Sequence, residues 1–106
     1  MKQYRVKISR LALADMEQIY SYIAERLQEP ETAMNQYNRI AEGIESLTAL
    51  PERCPLVDCE PERSQGLRHL LVDHYSVFYL VGEDTVSIAR VLYSSSDITV
   101  RLRNMK

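Results

Sequence analysis

Several of the features that give a short chain its stability or its address are missing from this one. Its 106 residues include only two cysteines, Cys54 and Cys59, both in a proline-rich stretch. They are too few and too local for the disulfide scaffold of a small secreted protein, so reduced thiols are expected. No apolar segment reaches signal-peptide or membrane-spanning length, which predicts a cytoplasmic protein with no membrane contact. There is no internal repeat, low-complexity run or composition break, so a single domain over residues 1–106 is expected. Cys54, Cys59, His69 and His74 show C-x4-C and H-x4-H spacings, but the histidines bracket the apolar run of a hairpin and nothing draws the cysteine loop to them. Neither a zinc site nor a cofactor is expected.

The side chains that are present suffice for one core. At 45% apolar composition, a chain of this size buries about two-thirds of its unfolded surface. Its charge is unevenly spread. Residues 1–10 carry Lys2, Arg5, Lys7 and Arg10 with no acid, residues 11–52 carry eight acids against Arg26 and Arg39, and the remainder balances at seven of each sign. One basic and one acidic face would follow if the ends of the chain lie together, either as a binding surface or as solvated surfaces that aid solubility.

The apolar periods divide the chain. From Gln3 to Ser9, Tyr4, Val6 and Ile8 alternate with Arg5 and Lys7, predicting a strand with one buried side. Ala12, Met16, Ile19, Tyr20, Ile23 and Leu27 then form the stripe of an amphipathic helix that Pro30 interrupts. A second stripe, Ala33, Tyr37, Ile40, Ile44 and Leu47, runs to Leu50 and Pro51. The short break makes the two helices antiparallel neighbours. Residues Pro51 to Gln65 have the composition of a loop, expected to be mobile. Three strands follow, Leu67 to Val72, Tyr75 to Val81 and Val86 to Tyr93, spaced as an antiparallel meander. The predicted fold is a two-layer α+β domain: an N-terminal strand, an antiparallel helical hairpin on one sheet face, and a three-stranded antiparallel meander, with the other sheet face free for a partner.

Arg68 and Arg90 stand inside two of those strands. A cation there is costly to bury unless paired, so each either serves a site or braces the sheet by pairing with Asp97, Asp73 or a glutamate. His69 and His74 flank a hairpin turn, where histidine is commonly an exposed polar residue. Tyr75 and Tyr79 share a face with Val77 and read as core, whereas Tyr93 ends a strand and is the better functional candidate.

In order and spacing, Ser9, Ala12, Asp15, Met16, Ile19, Tyr22 and Ile23, then Pro30 and Ala33, then Ile40, Ile44, Leu47 and Pro51 resemble the first half of the RelE/ParE toxin superfamily. Arg68, Leu70, Val72, Tyr75, Val77, Phe78 and Tyr79, followed by Val86, Ile88, Arg90 to Tyr93 and Asp97, resemble its second half. The resemblance implies the RelE/ParE-like fold and the toxin of a bacterial type II toxin-antitoxin pair, of the plasmid-stabilisation kind. A cognate antitoxin would wrap and neutralise it, with a homodimer or a heterotetramer among the possible assemblies. Antitoxin acids would meet Arg5, Lys7, Arg68 and Arg90, and charge reversal at Arg68 and Arg90 should weaken the complex.

RelE-like members cut messenger RNA on the ribosome, whereas ParE-like members block DNA gyrase and are not enzymes. Metal-free RNA cleavage needs a base, an acid and cations at the phosphate; here Arg68, Arg90, His74 and Tyr93 would serve. The basic cluster usual after the last strand of RelE-like nucleases is replaced by Ser94, Ser95 and Ser96, and the overall balance is acidic. The ParE-like reading is therefore preferred, with the ribosome-dependent nuclease and a degenerate, non-toxic antitoxin-binding module as alternatives.

Overall fold

In the computed structural model, which describes residues 2–94, the N-terminal alternation becomes a short strand, β1 (Arg5–Ile8). Tyr4 and Val6 are half-buried while Arg5 and Lys7 are exposed, as the period predicts. Ile8 departs from it at 45% exposure, because the strand ends there and the chain turns at once into a helix. Ser9 makes that turn. Its Oγ accepts the Ala12 amide at 3.0 Å, satisfying a donor the helix's first turn would leave orphaned, and donates to Ala89 O at 2.9 Å. One side chain thus caps the helix and pins its start to the sheet.

The first helix, α1 (Arg10–Ser21), ends in a π turn, Tyr22–Arg26. Ala12, Met16 and Ile23 are buried as expected, but Leu27 is exposed. The wider i→i+5 turn rotates it off the stripe. Gln28 takes the left-handed conformation at φ 56°, and Pro30 opens α2 (Pro30–Glu45) at a position where its missing N–H leaves no bond unmade. The helix continues as a 3-10 turn, Ser46–Thr48, which buries Leu47. Arg53, in a further 3-10 turn (Pro51–Arg53), donates to Ala49 O at 2.8 Å and to Ser46 Oγ at 2.8 Å. Its charge therefore sits where carbonyls go unpaired at the end of the helix.

Three further strands, β2 (Arg68–Val72), β3 (Tyr75–Val81) and β4 (Thr85–Tyr93), form the meander. β1 adds to it in parallel beside β4, so the sheet is mixed, in the order β1-β4-β3-β2. Both helices contribute to the core on one face, where Met16, Ile40, Ile44, Leu47, Val77, Tyr79, Val86 and Ile88 meet. Gly43 allows a close approach of α2 to β2: a Cβ there would stand 2.8 Å from Val72 Cγ2. The resulting α+β arrangement is the predicted one.

The far face is not left free. Val57 is buried there and packs with Leu67, Phe78 and Leu92 into a second cluster, whereas Cys54, three residues earlier, joins the main core. Leu56 bridges Arg68, and Gly66, at φ 89°, turns the chain into β2. The start of the same loop is held from the helix side, where the Tyr79 hydroxyl donates to Pro51 O at 2.6 Å. A segment with no apolar period can still bury single side chains that the strand beneath presents.

Candidate functional site

The register of β4 decides what Arg90 does. Phe78 pairs with Arg90 and Tyr79 with Ile88, leaving Ala89 as an extra, bulged residue. A bulge re-aims the side chains beyond it. Val91 consequently joins Val86 and Ile88 in the main core, Leu92 joins the second cluster, and Arg90 closes on α1. Its Nε and Nη2 donate to Asp15 Oδ2 and Oδ1 at 2.7 and 2.9 Å, and Asp15 Oδ2 also accepts the Val91 amide at 3.0 Å. The pair is nearly out of solvent, at 13% and 7% exposure. Donating to the Asp15 carboxylate raises Arg90 above the ordinary guanidinium range, against the downward pull of burial.

Asp15 therefore does two jobs: it balances a buried charge and caps a backbone donor of β4 past the end of β1. Neither Asp73 nor a glutamate partners Arg90, and Asp97 lies outside the described residues, as do Ser95 and Ser96. Asp73 instead receives both Arg39 Nε and Nη2, at 2.7 and 2.9 Å, plus Gln36 at 3.1 Å. Those bonds tie the β2–β3 turn to α2, and the Arg39 bond above all holds the Asp73 carboxyl below its usual range.

Arg68 is engaged differently. Its Nη1 donates to Cys54 O at 2.7 Å and Glu52 O at 3.3 Å, so its charge is held by neutral carbonyls of the covering loop. His74 and Tyr93 come together at the other end of the sheet, with ring centroids 6.5 Å apart, and Tyr75 lies 5.7 Å from Tyr93. Burial, then Tyr93, raises the Tyr75 phenol above its ordinary range. Arg68 begins β2, whose four rises span roughly 13 Å, and His74 lies past its far end. The four candidate nuclease residues are thus divided between three settings. His69, not among them, stacks on Phe78 with centroids 6.1 Å apart.

Arg5 and Lys7 are exposed on β1. Beside β4, a cleft of about 580 Å³ opens between the π turn and the sheet, with Tyr22, Ile23, Leu27, Tyr75 and Tyr93 among its walls. Its lining is largely apolar with phenol hydroxyls at intervals, a surface suited to protein side chains more than to phosphate. Among the described residues, no cluster of three or more His, Cys, Asp or Glu side chains could hold a metal ion, and no helix is long and apolar enough to cross a membrane.

Asp15 is the residue that sequence reasoning left without a role. Its signal is its position: it sits between Ala12, Met16 and Ile19 on the apolar stripe, and an acid on a buried stripe needs a cation.

The family model described as ParE toxin of type II toxin-antitoxin system, parDE, matches residues 6–98. No curated protein sequence matches significantly. Among solved structures, a chain of the chromosomal ParDE toxin-antitoxin system from P. aeruginosa superposes with a TM-score of 0.71 at 24% identity, covering 86% of this chain and 96% of that one. One from the RelBE2 toxin-antitoxin complex of Mycobacterium tuberculosis gives 0.61 at 19% identity, covering 86% and 98%. YafQ from E. coli strain BL21(DE3) gives 0.53 at 14% identity, covering 89% and 97%. At these identities the likeness is one of fold.

Proposed function

The chain belongs to the ParE toxin family of type II toxin-antitoxin systems, and from that membership we propose that it arrests growth by binding and inhibiting DNA gyrase and that a cognate protein antitoxin neutralises it. The observation that carries the choice of a binding toxin over a nuclease is the Arg90–Asp15 pair. Phosphoryl cleavage needs cations aimed at the charge that develops on the phosphate. Here one candidate guanidinium is neutralised by a buried carboxylate and the other is bonded to loop carbonyls about a strand's length from His74 and Tyr93.

The same pairing bears on antitoxin recognition. Of the four cations expected to meet antitoxin acids, Arg5 and Lys7 are the exposed ones. Reversing Arg90 would unseat Asp15, so loss of antitoxin binding by such a variant would report the fold as much as the interface.

Inducing the protein without antitoxin, while following growth, plasmid supercoiling and transcript integrity in one culture, tests the target. Growth arrest with relaxed or broken DNA and intact transcripts is the expected result. Cleaved transcripts with normal supercoiling would overturn it in favour of the ribosome-dependent nuclease, and unimpaired growth in favour of a non-toxic antitoxin-binding module.

A further inference from the structure

The covering loop packs on Leu67, Phe78 and Leu92, and the β1 end of the same sheet face carries side chains that stay in water. β1 runs beside β4 with Val6 opposite Val86 and Ile8 opposite Ile88. Val86 and Ile88 lie in the main core, so the alternate residues Arg5, Lys7 and Ser87 project from the far face, and all three are exposed. Leu80, opposite Ser87 on β3, closes the row at 40% exposure.

The charge of this face has one sign. Among the described residues neither Arg5 nor Lys7 makes an ion pair. Arg10 stands exposed at the start of α1, whose first turn has no acid. A cation there opposes the helix dipole, so local stability does not account for it. The turn before β4 brings Glu83 and Asp84 to the Arg5 end, where Asp84 Oδ1 accepts the Thr85 hydroxyl at 3.0 Å. Residues 95–106, outside the described ones, hold three cations against Asp97 alone and so add to the positive balance. The eight acids of residues 11–52 lie on the helical side, which gives a chain of net charge -2 one face that attracts a polyanion and another that repels it.

The composition of the face selects the partner. A protein interface has an apolar centre, and here Leu80 alone could supply one. Cations beside a hydroxyl, with no aromatic among them, are the side chains that meet phosphate oxygens without reading bases. The strand holds Arg5 and Lys7 about 6.7 Å apart on a fixed row, and a duplex offers a phosphate about every 3.4 Å along each of its strands.

We propose that the face formed by Arg5, Lys7 and Ser87, with Arg10 beyond its end, binds the phosphate backbone of duplex DNA without regard to sequence. The proposal needs neither gyrase inhibition nor an antitoxin, and either of those can fail without it.

Fluorescence anisotropy of a labelled random-sequence duplex, titrated with the purified full-length protein between 50 and 200 mM KCl, tests it. Three phosphate contacts, from Arg5, Lys7 and Arg10, should give a slope of log affinity against log salt of about -2.7, a loss of about 40-fold across that range. Arg5→Gln with Lys7→Gln should bring the slope to about -0.9. Both side chains are exposed, so the melting temperature of this double variant should match that of the parent. Arg26→Gln, which removes an exposed cation from the acidic segment, should leave the slope unchanged.

No binding at 50 mM KCl with about 100 μM protein, the weak end of non-specific affinities, would overturn the proposal. An unchanged slope in the double variant would place the contacts elsewhere on the chain and overturn it equally. So would an equal fall in Arg26→Gln, which would make binding a matter of net charge and not of this face.

Discussion

Two arginine–aspartate pairs in this fold share one geometry and differ in their surroundings. In each, Nε and Nη2 of the arginine donate to the two carboxylate oxygens at 2.7 and 2.9 Å. Arg90 and Asp15 keep 13% and 7% of their side-chain exposure, while Arg39 and Asp73 keep 62% and 30%. Water and salt screen the second pair and can solvate either partner alone. The first pair has no such recourse, so each partner depends on the other. Geometry shows which groups are tied together, and burial sets how much stability is lost when the tie is cut. The buried pair also bears on function, because it holds the guanidinium that a phosphate-cleaving site would need.

Cutting the buried tie gives the largest expected effect. Asp15→Ala leaves the Arg90 charge without a counterion and the Val91 amide without an acceptor, and stability should fall by about 3–5 kcal/mol, read from the urea midpoint at constant slope. Asp15→Leu combined with Arg90→Leu removes both charges and should recover much of that loss. The double variant also separates brace from site. If it regains stability and still arrests growth, Arg90 serves the fold alone; restored stability without arrest would return Arg90 to the functional surface.

A neutral buried bond should fall between the two ion pairs. Tyr79 is fully buried and its hydroxyl donates to Pro51 O at 2.6 Å, so Tyr79→Phe leaves a carbonyl of the covering loop unsatisfied without stranding a charge. A loss of about 1–2 kcal/mol is expected by the same measurement. A loss as large as that of Asp15→Ala would mean that burial matters and charge does not, and would break the comparison.

Much of this architecture was legible in the sequence, and the exceptions have identifiable physical causes. The helix stripes, the proline between them and the three late strands arise from local period, which depends on each segment's own side chains. The failures concern relations between segments. Strict alternation places Arg90 on one face with Ile88 and Leu92, and the bulge at Ala89 reorders that row. The covering loop has no period, so the burial of Val57 depends on Phe78 in the strand beneath it and on nothing in the loop's own pattern. The candidate site suffered most. Arg68 and Arg90 share the character of a strand cation, and what distinguishes them is a partner elsewhere in the chain: Asp15 for Arg90 and two loop carbonyls for Arg68. Only Asp15 left a trace, as an acid on an apolar stripe.

The smallest expected effect belongs to the exposed pair, and pH isolates it. The Arg39 hydrogen bond, helped by Gln36, holds the Asp73 carboxyl below its usual range. A carboxyl depressed in the folded state binds its proton less tightly there than in the unfolded chain. Its contribution is therefore present above the unfolded aspartate pKa of about 3.9 and is lost as pH falls through the lower folded value. Arg39→Gln should lower the melting temperature slightly at neutral pH. That difference should shrink in 1 M salt and disappear in acid once Asp73 is protonated in the fold. The deficit of Asp15→Ala, measured beside it at neutral pH, should persist in 1 M salt. If the Arg39→Gln deficit also survived salt and acid, the turn would be held by something other than its carboxylate, and the contrast between a solvated and a buried pair would fail at its exposed end.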